Sequence, residues 1–235
     1  MTTTQKILLY PTQEYPCSYL PDRFARCLFL DPSIKPTAGL YQELSDLGFR
    51  RSGSHLYRPQ CSQCNSCQSS RVRVQDFTPS RSQRKILKRN RDLEEKYMPT
   101  QFTHEVYQLY ANYIRQRHHG GDMYPPNKKQ FNDFLCHQLD SSCHFIGYYL
   151  EQKLIGVGIV DQLEQGYSAI YSFFNSDLSR RSLGSYIILR HIERARDQNM
   201  PYVYLGYWIK NSPKMAYKIA YQPLEVFDGK QWRLS

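Results

Sequence analysis

Phe145-Ile146-Gly147-Tyr148-Tyr149-Leu150, a polar break at Glu151-Gln152-Lys153, and then Leu154-Ile155-Gly156-Val157-Gly158-Ile159-Val160 form the stretch from which this fold is read. Both runs are rich in aromatic and β-branched residues and are too short for helices, so they read as two strands joined by a tight turn. A third run, Tyr167–Phe174, follows the turn Glu164-Gln165-Gly166 and extends the pair into an antiparallel meander. From about Ser182 to Asp197 the period changes, with Ile187, Ile188, His191, Ile192 and Ala195 on one helical face. Tyr202–Leu205 then reads as another strand, giving the order β-β-β-α-β.

Upstream, Leu40, Leu44 and Leu47 predict a helix from Thr37 to Leu47, stopped by Gly48. That places Arg50, Arg51 and Ser52 on a loop leading into a strand around His55–Arg58. Alternation in Arg71-Val72-Arg73-Val74 predicts a strand with one charged face. Residues 79–98 read as a basic helix, because Arg81, Arg84, Lys85, Lys88, Arg89 and Arg91 follow one another without an intervening acid. A solvated charged face accounts for such a run; a phosphate backbone as partner also relieves its self-repulsion. Two more helices are expected near 104–117 (Val106, Leu109, Tyr110, Tyr113, Ile114) and near 128–139 (Phe131, Phe134, Leu135, Leu139), the second capped by Asn127. Between them His118-His119-Gly120-Gly121-Asp122-Met123-Tyr124-Pro125-Pro126 is a turn-rich loop, whose adjacent histidines do not converge easily on one metal ion. The expected division is residues 1–75, with the three closely spaced cysteines, and residues 76–235, which include the basic helix.

With 235 residues and 40% hydrophobic content the chain can bury a proper core. A net charge of +10 together with twenty tyrosines points toward nucleic acid, although a generally basic protein has the same composition. The short apolar run Ile7–Tyr10, ended by Pro11, does not make a signal peptide. No segment approaches the ~18 apolar residues of a membrane span, and seven cysteines, three of them clustered, suit a reducing compartment such as the cytoplasm.

Cys61, Cys64 and Cys67 repeat at a spacing that lets neighbouring thiolates converge on one tetrahedral ion, with Cys17 available as a fourth ligand. Such a set suits zinc or an iron–sulfur cluster. Buried reduced thiols or a chance cluster in a loop explain the same spacing. Cys27, Cys136 and Cys143 read as ordinary buried thiols. Arg180-Arg181-Ser182-Leu183-Gly184-Ser185 opens the helix after the meander, where free backbone N–H groups with Gly and Arg can hold phosphate oxygens; a plain cap with two surface arginines is the alternative. No Ser–His–Asp order, Walker loop or GxGxxG appears. That leaves chemistry that works by positioning, such as an amine attacking an already activated ester.

The β-β-β-α-β order resembles the acetyltransferase-like (GNAT-type) fold, an α+β class, here with a smaller Cys-containing N-terminal region packed against it. Over nearly its whole length the chain also resembles the arginyl-tRNA–protein transferases, and within them the bacterial aspartate/glutamate leucyltransferase branch. The marks are Cys17 with Tyr19-Leu20-Pro21, Gly48-Phe49-Arg50-Arg51-Ser52-Gly53, Tyr57-Arg58-Pro59 before the cysteines, and Ser172–Asp177 with Ser182-Leu183-Gly184. Tyr204-Leu205-Gly206-Tyr207-Trp208-Ile209 and Pro213-Lys214-Met215-Ala216-Tyr217-Lys218 complete them. The resemblance implies transfer of an amino acid from its tRNA to proteins beginning with Asp or Glu, marking them for degradation. The short chain and the cysteine knuckle favour leucine over arginine as donor. The family is also known for N-terminal cysteines that bind a metal or cluster, which here would be Cys17, Cys61, Cys64 and Cys67; the transfer chemistry itself needs no cofactor.

On this reading the acceptor's side-chain carboxylate needs a cationic pocket, with Arg50, Arg51 and Arg71 as candidates beside Ser52 and Tyr19. For the tRNA and its aminoacyl end the candidates are Arg180, Arg181, Ser182, Lys210, Lys214 and Lys218, with Lys85, Lys88 and Arg89 along the acceptor stem. Asp177, as a polar relay, and Tyr207 are the candidate catalytic groups; a helix-entry cap is the plain role for Asp177. The rival functions are an arginyltransferase of the same family, a coenzyme A-dependent N-acyltransferase and a noncatalytic RNA-binding protein.

Overall fold

The computed structural model describes residues 8–136 and 142–235. Residues 1–7 and the expected helix end at 137–139 lie outside them. Along the chain run β1 (Leu9–Pro11), β2 (Tyr15–Pro16), β3 (Phe24–Ala25), β4 (Cys27–Leu30), α1 (Ala38–Asp46), β5 (Arg50–Ser52), β6 (His55–Pro59), β7 (Gln68–Arg73), α2 (Arg81–Arg89) and β8 (Glu94–Met98). They are followed by α3 (His104–Arg117), α4 (Lys128–Phe131), β9 (Cys143–Leu150), β10 (Lys153–Leu163), β11 (Gly166–Phe174), α5 (Leu183–Asp197), β12 (Tyr202–Trp208), β13 (Leu224–Phe227) and β14 (Trp232–Leu234). Together they make a mixed α+β fold around one large sheet, in the order β14-β13-β7-β12-β11-β10-β9-β8. A four-stranded sheet, β1-β4-β6-β5, and the small β2-β3 pair come from the N-terminal region.

The expected meander forms, with β10 antiparallel to both β9 and β11. Both faces of these strands are covered, so their sequences read as nearly unbroken apolar runs. Alternate residues part to opposite sides: Ile146, Tyr148 and Val160 pack with Ile187, Ile192 and Ala195 of α5, whereas Phe145, Val157 and Ile159 pack with Val106, Tyr110 and Ile114 of α3. Helix α5 lies close to the sheet because Gly158 has no side chain. A Cβ there would stand 2.8 Å from Ile187 and 2.9 Å from the His191 ring.

Crossing over through α5, the chain returns in β12 parallel to β11, but the pairing covers only Gly166–Ser168 against Tyr202–Tyr204. Beyond that point β12 has ladder partners in β7 and β11 in β10, and none in each other. The two parallel strands therefore separate toward their C-terminal ends, the end at which open α/β sheets form crevices.

Three expectations change. The basic helix stops at Arg89 rather than near residue 98: a capping box of Ser80 and Gln83 starts it, Asn90 closes it by donating to the carbonyls of Ile86 and Arg181, and Glu94–Met98 becomes an edge strand on β9. Its charged Glu94 and Lys96 suit an exposed sheet edge. Arg50–Ser52 is a strand paired with β6, not a loop. Helix α4 has its Asn127 cap but widens after Phe131 into a π-type turn, Asn132–Cys136.

His191 is buried in α5 with its Nδ1 lacking a hydrogen-bond partner. Burial, reinforced by Arg194 and Arg190, depresses its pKa to about 3. Because the unfolded chain protonates this imidazole near pH 6.5 and the folded chain does not, stability is full above that pH and falls as pH drops from about 6.5 toward 3. Its contribution to the slope is up to about 1.4 kcal/mol per pH unit. Between pH 7 and 5.5 the His191→Gln variant is expected to lose less stability than the parent in denaturant titrations; parallel losses would refute this account.

Candidate functional site

Strand β5 decides where the cationic side chains go, because consecutive residues of a strand point to opposite faces. Arg51 faces the large sheet. Its Nε and Nη2 donate to the two carboxylate oxygens of Asp161 on β10 at 2.5 and 2.9 Å, and Nη1 donates to the Gly53 carbonyl at 2.9 Å. Tyr41 of α1 donates to the same carboxylate at 2.5 Å, and both side chains of the ion pair are 1% exposed. Arg71 is likewise paired, with Glu225 at 2.7 Å and Asp46 at 3.2 Å, and is stacked between Tyr202 and Trp232. The expected cluster is divided: Arg51 is taken up by Asp161, whereas Arg50 and Arg71 stack on the same Tyr204 and Trp232 rings. Ser52 lies apart from it, in a surface depression with His55 and Asn127.

Arg50 turns the other way. It is 5% exposed, donates through Nη1 to the carbonyls of Ser45 and Phe49, and stacks on Tyr204 with 4.7 Å between guanidinium carbon and ring centre. Its Nε and Nη2 are buried without a partner. Within electrostatic reach stands Lys218, 4% exposed on the 3₁₀ turn Ala216–Ala220. Its Nζ donates to the Tyr207 carbonyl. Burial first, and then the charge of Arg50, lower the Lys218 pKa to about 7. Tyr207 bridges the two sheets, its hydroxyl lying 3.1 Å from the Gly48 carbonyl and 2.9 Å from that of Tyr57.

A crevice of 350 Å³ opens at the C-terminal end of β11, and Tyr217, the neighbour of Lys218, reaches it. Ser172 and Phe174 of β11, Arg117 of α3, Ser182 and Gly184 at the start of α5, and Tyr217 line it. Ser182 adopts a left-handed conformation, φ 53°, and makes no side-chain cap, so the first backbone N–H groups of α5 are available to an anion. Asp177 lies at the entry to the preceding 3₁₀ turn, exposed, and accepts from Gln116 at 3.3 Å.

The tRNA candidates fall into three places. Lys85, Lys88 and Arg89 are exposed on α2, and Arg89 donates to the Arg180 carbonyl. Arg181 is bound to Asp92 by two contacts of 2.7 and 2.8 Å, which leaves Arg180 as the more open charge. Lys210 and Lys214 are exposed on the segment after β12. Lys218, which shares that segment, is instead turned inward, away from the other basic residues.

The cysteines gather at the N-terminal side. The Cys67 thiol is pushed up to about 12 by burial and then by Cys61, Cys17, Cys64 and Cys27, and Cys61 and Cys64 form an isolated β-bridge. Among the described residues, however, no group of three His, Cys, Asp or Glu is arranged to hold a metal ion. The Cys64 thiol lies 3.4 Å from Ser66 Oγ, and Cys61 donates to the Arg26 carbonyl at 3.8 Å. Tyr19, expected at the acceptor, is 44% exposed near these thiols.

A crevice between a strand end and a helix start, with an exposed basic helix on the same molecule, suits a group-transfer protein with an anionic donor. Two family models match the chain: arginine-tRNA-protein transferase, N terminus, over residues 15–85, and arginine-tRNA-protein transferase, C terminus, over residues 105–228. The chain belongs to the arginine-tRNA-protein transferase family and is an aminoacyltransferase. It is 51% identical over 233 residues to an aspartate/glutamate leucyltransferase of Chromohalobacter salexigens, covering 98% of this chain and 94% of that one. It is 48% identical over 234 residues to a protein of the same name from Alcanivorax borkumensis, covering 99% and 96%. Among solved structures a conserved protein of unknown function from Bacteroides thetaiotaomicron shares the fold, with a TM-score of 0.54 at 12% identity over 68% of this chain and 57% of that one.

Removing one partner of a buried ion pair leaves an uncompensated charge, so Arg51→Met is expected to lower unfolding stability by about 3–5 kcal/mol. Adding Asp161→Leu should restore most of that loss. A carboxylate-binding role for Arg51 would instead raise the acceptor KM at unchanged stability, and urea titration beside peptide kinetics separates the two.

Proposed function

We propose that the protein transfers leucine from Leu-tRNA to the α-amino group of proteins that begin with Asp or Glu, marking them for degradation in the cytoplasm. The similarity to two leucyltransferases over nearly the full length supports the donor and the acceptors. The crevice at the C-terminal end of β11, against the start of α5, carries the structural part of the argument. It also supports an acetyltransferase-like arrangement, in which the activated acyl group enters where a parallel pair of strands opens. Among the described residues no helix is long and apolar enough to cross a membrane.

In this scheme the 3′ end of the tRNA lies in the crevice, its phosphates toward Arg117, Ser182 and the start of α5, and its acceptor stem along Lys85, Lys88, Arg89 and Arg180. An α-amino group has a pKa near 7.7–8.0, so roughly a tenth is neutral at pH 7. The neutral amine attacks the ester carbonyl carbon, and a tetrahedral oxyanion forms. Collapse expels the ribose hydroxyl, which takes up the proton lost by the amine, leaving an amide bond. Holding two macromolecules in register supplies much of the acceleration.

Label from Leu-tRNA is expected to move to peptides starting with Asp or Glu and not to those starting with Ala. Label from Arg-tRNA would keep the family and change the donor; RNA retention without transfer would favour a binding protein. Replacing Lys85 and Lys88 together by Glu is expected to raise KM for Leu-tRNA more than tenfold and to reduce its salt dependence, with peptide KM unchanged. An unaltered salt slope would remove α2 from the tRNA path.

A further inference from the structure

Two buried cations lie outside every salt bridge among the described residues, with Asp46 reaching Arg50 only at longer range. Arg50 and Lys218 lie in the interior, 5% and 4% exposed. Neither forms a salt bridge, whereas Arg51, Arg71, Arg181, Arg190 and Arg194 all do. Isolated buried charge is strongly unfavourable, and native proteins pair it or discharge it. The unpaired Nε and Nη2 of Arg50, and Lys218 Nζ with one backbone acceptor, leave donors unused. A further donor stands nearby on the sheet: Ser69 lies directly opposite Tyr207 in the β7–β12 ladder, and its buried hydroxyl has no partner.

We propose that Arg50 and Lys218 together form the socket for the side-chain carboxylate of the acceptor's first residue, with Lys218 acting as a specificity-determining residue. This rests on the transfer activity proposed above. Geometry supports the placement. Tyr217 is shared: its ring lies 5.8 Å from Lys218 Nζ and also lines the donor crevice. Tyr217 thus links the surroundings of the two cations to the donor crevice, as a short acidic side chain joined to an attacking α-amine requires. Arg50 offers a planar edge with Nε and Nη2 free, the geometry suited to two carboxylate oxygens, and Lys218 adds a point charge. An uncharged Asn or Gln side chain would leave both cations uncompensated, so the socket selects against it as well as for the acid. The charge that Lys218 loses through burial and through Arg50 is restored by an entering anion.

The cover over the socket is the short segment after β12, a run of turns ending in the single 3₁₀ turn Ala216–Ala220. It is braced from outside by α2, where Gln83 Nε2 donates to the Ala220 carbonyl at 2.9 Å. Entry of a side chain requires this cover to shift. Helix α2 thereby touches both the donor path and the acceptor cover.

The test is steady-state transfer with purified full-length protein, Leu-tRNA, and four peptides identical except for Asp, Asn, Glu or Gln at the first position. In Lys218→Met, kcat/KM for the Asp and Glu peptides is expected to fall by about 10- to 100-fold, the weight of a hydrogen bond to a charged group. The Asp-to-Asn and Glu-to-Gln ratios should fall with it, while filter-measured affinity for Leu-tRNA stays within twofold and the thermal midpoint does not drop. Arg50→Lys keeps one charge and should show a partial loss of the same ratios; if it fails to fold, Lys218→Met decides alone. Weakened Leu-tRNA affinity in Lys218→Met would return Lys218 to the donor and overturn the proposal, as would preserved acid-to-amide ratios. Failure of the parent protein to transfer leucine would instead defeat the proposed activity, a result distinct from either.

Discussion

The buried pair of Arg51 and Asp161 sets the rest of the arrangement. It joins β5 of the small sheet to β10, an interior strand of the large one, and Tyr41 of α1 closes over the same carboxylate. Such a pair is weak as a source of net stability, because desolvating both ions offsets most of their attraction. Its effect is on register. A slip of one residue in β5 would exchange the faces of Arg50 and Arg51, leaving Asp161 buried without a cation. The pair therefore fixes that Arg51 is consumed by the scaffold and Arg50 is not. Two adjacent arginines of identical chemistry have opposite fates because a strand alternates.

The same separation of paired from unpaired charge runs through the molecule. A net charge of +10 does not mean an evenly basic surface. Arg190 and Arg194 are tied to Glu95, with Glu193 completing the group, and Arg181 is tied to Asp92. These contacts bolt the edge strand β8 and the end of α2 to α5. The cations left facing solvent on α2 and at Arg180 are joined through the contact of Arg89 with the Arg180 carbonyl, and they are available for long-range attraction to a polyanion. Acids in this region hold the frame, and by holding it they leave the outer face uniformly positive.

The legibility of the sequence follows from how local each cause is. The meander was readable because Glu151-Gln152 and Glu164-Gln165-Gly166 punctuate runs whose apolar content is decided by burial on two faces. Thr37 and Asn127 both cap helices as their chemistry suggests. Strand β8 was not readable, since Glu94, Glu95 and Lys96 are as suitable for a solvated helix as for a sheet edge, and only pairing with β9 decides. Nor was the strand character of Arg50–Ser52, three residues shortly after one glycine and just before another, which depends on β6 for its partner. The separation of β11 from β12 is a property of the sheet with no residue signature of its own. Lys218 shows the limit most clearly. The motif ending at Tyr217-Lys218 stood out in the sequence, but a lysine there reads as a surface charge, because lysine is almost never fully buried without a partner. Its position under a 3₁₀ turn and its proximity to Arg50 are tertiary facts.

An enzyme that joins two macromolecules through one amide bond needs little chemical apparatus, and the distribution of polar groups reflects that. Tyr207, a candidate for acid or base work, directs its hydroxyl to the backbone of Gly48 and Tyr57, where it pins the sheets together. Asp177 is exposed and away from the buried cations. The buried donors without a partner include two nitrogens of Arg50 and the Ser69 hydroxyl, beside a Lys218 with one backbone acceptor and the open N–H groups at the start of α5. Unsatisfied buried donors lower the stability of the empty protein, and native folds retain such strain mainly where a ligand relieves it. With the acceptor bound, an acidic first residue removes the repulsion between Arg50 and Lys218, so selection for Asp or Glu and closure of the cover draw on the same free energy. An amide in that position would bring the bulk without the charge, leaving the two cations as they are in the empty protein.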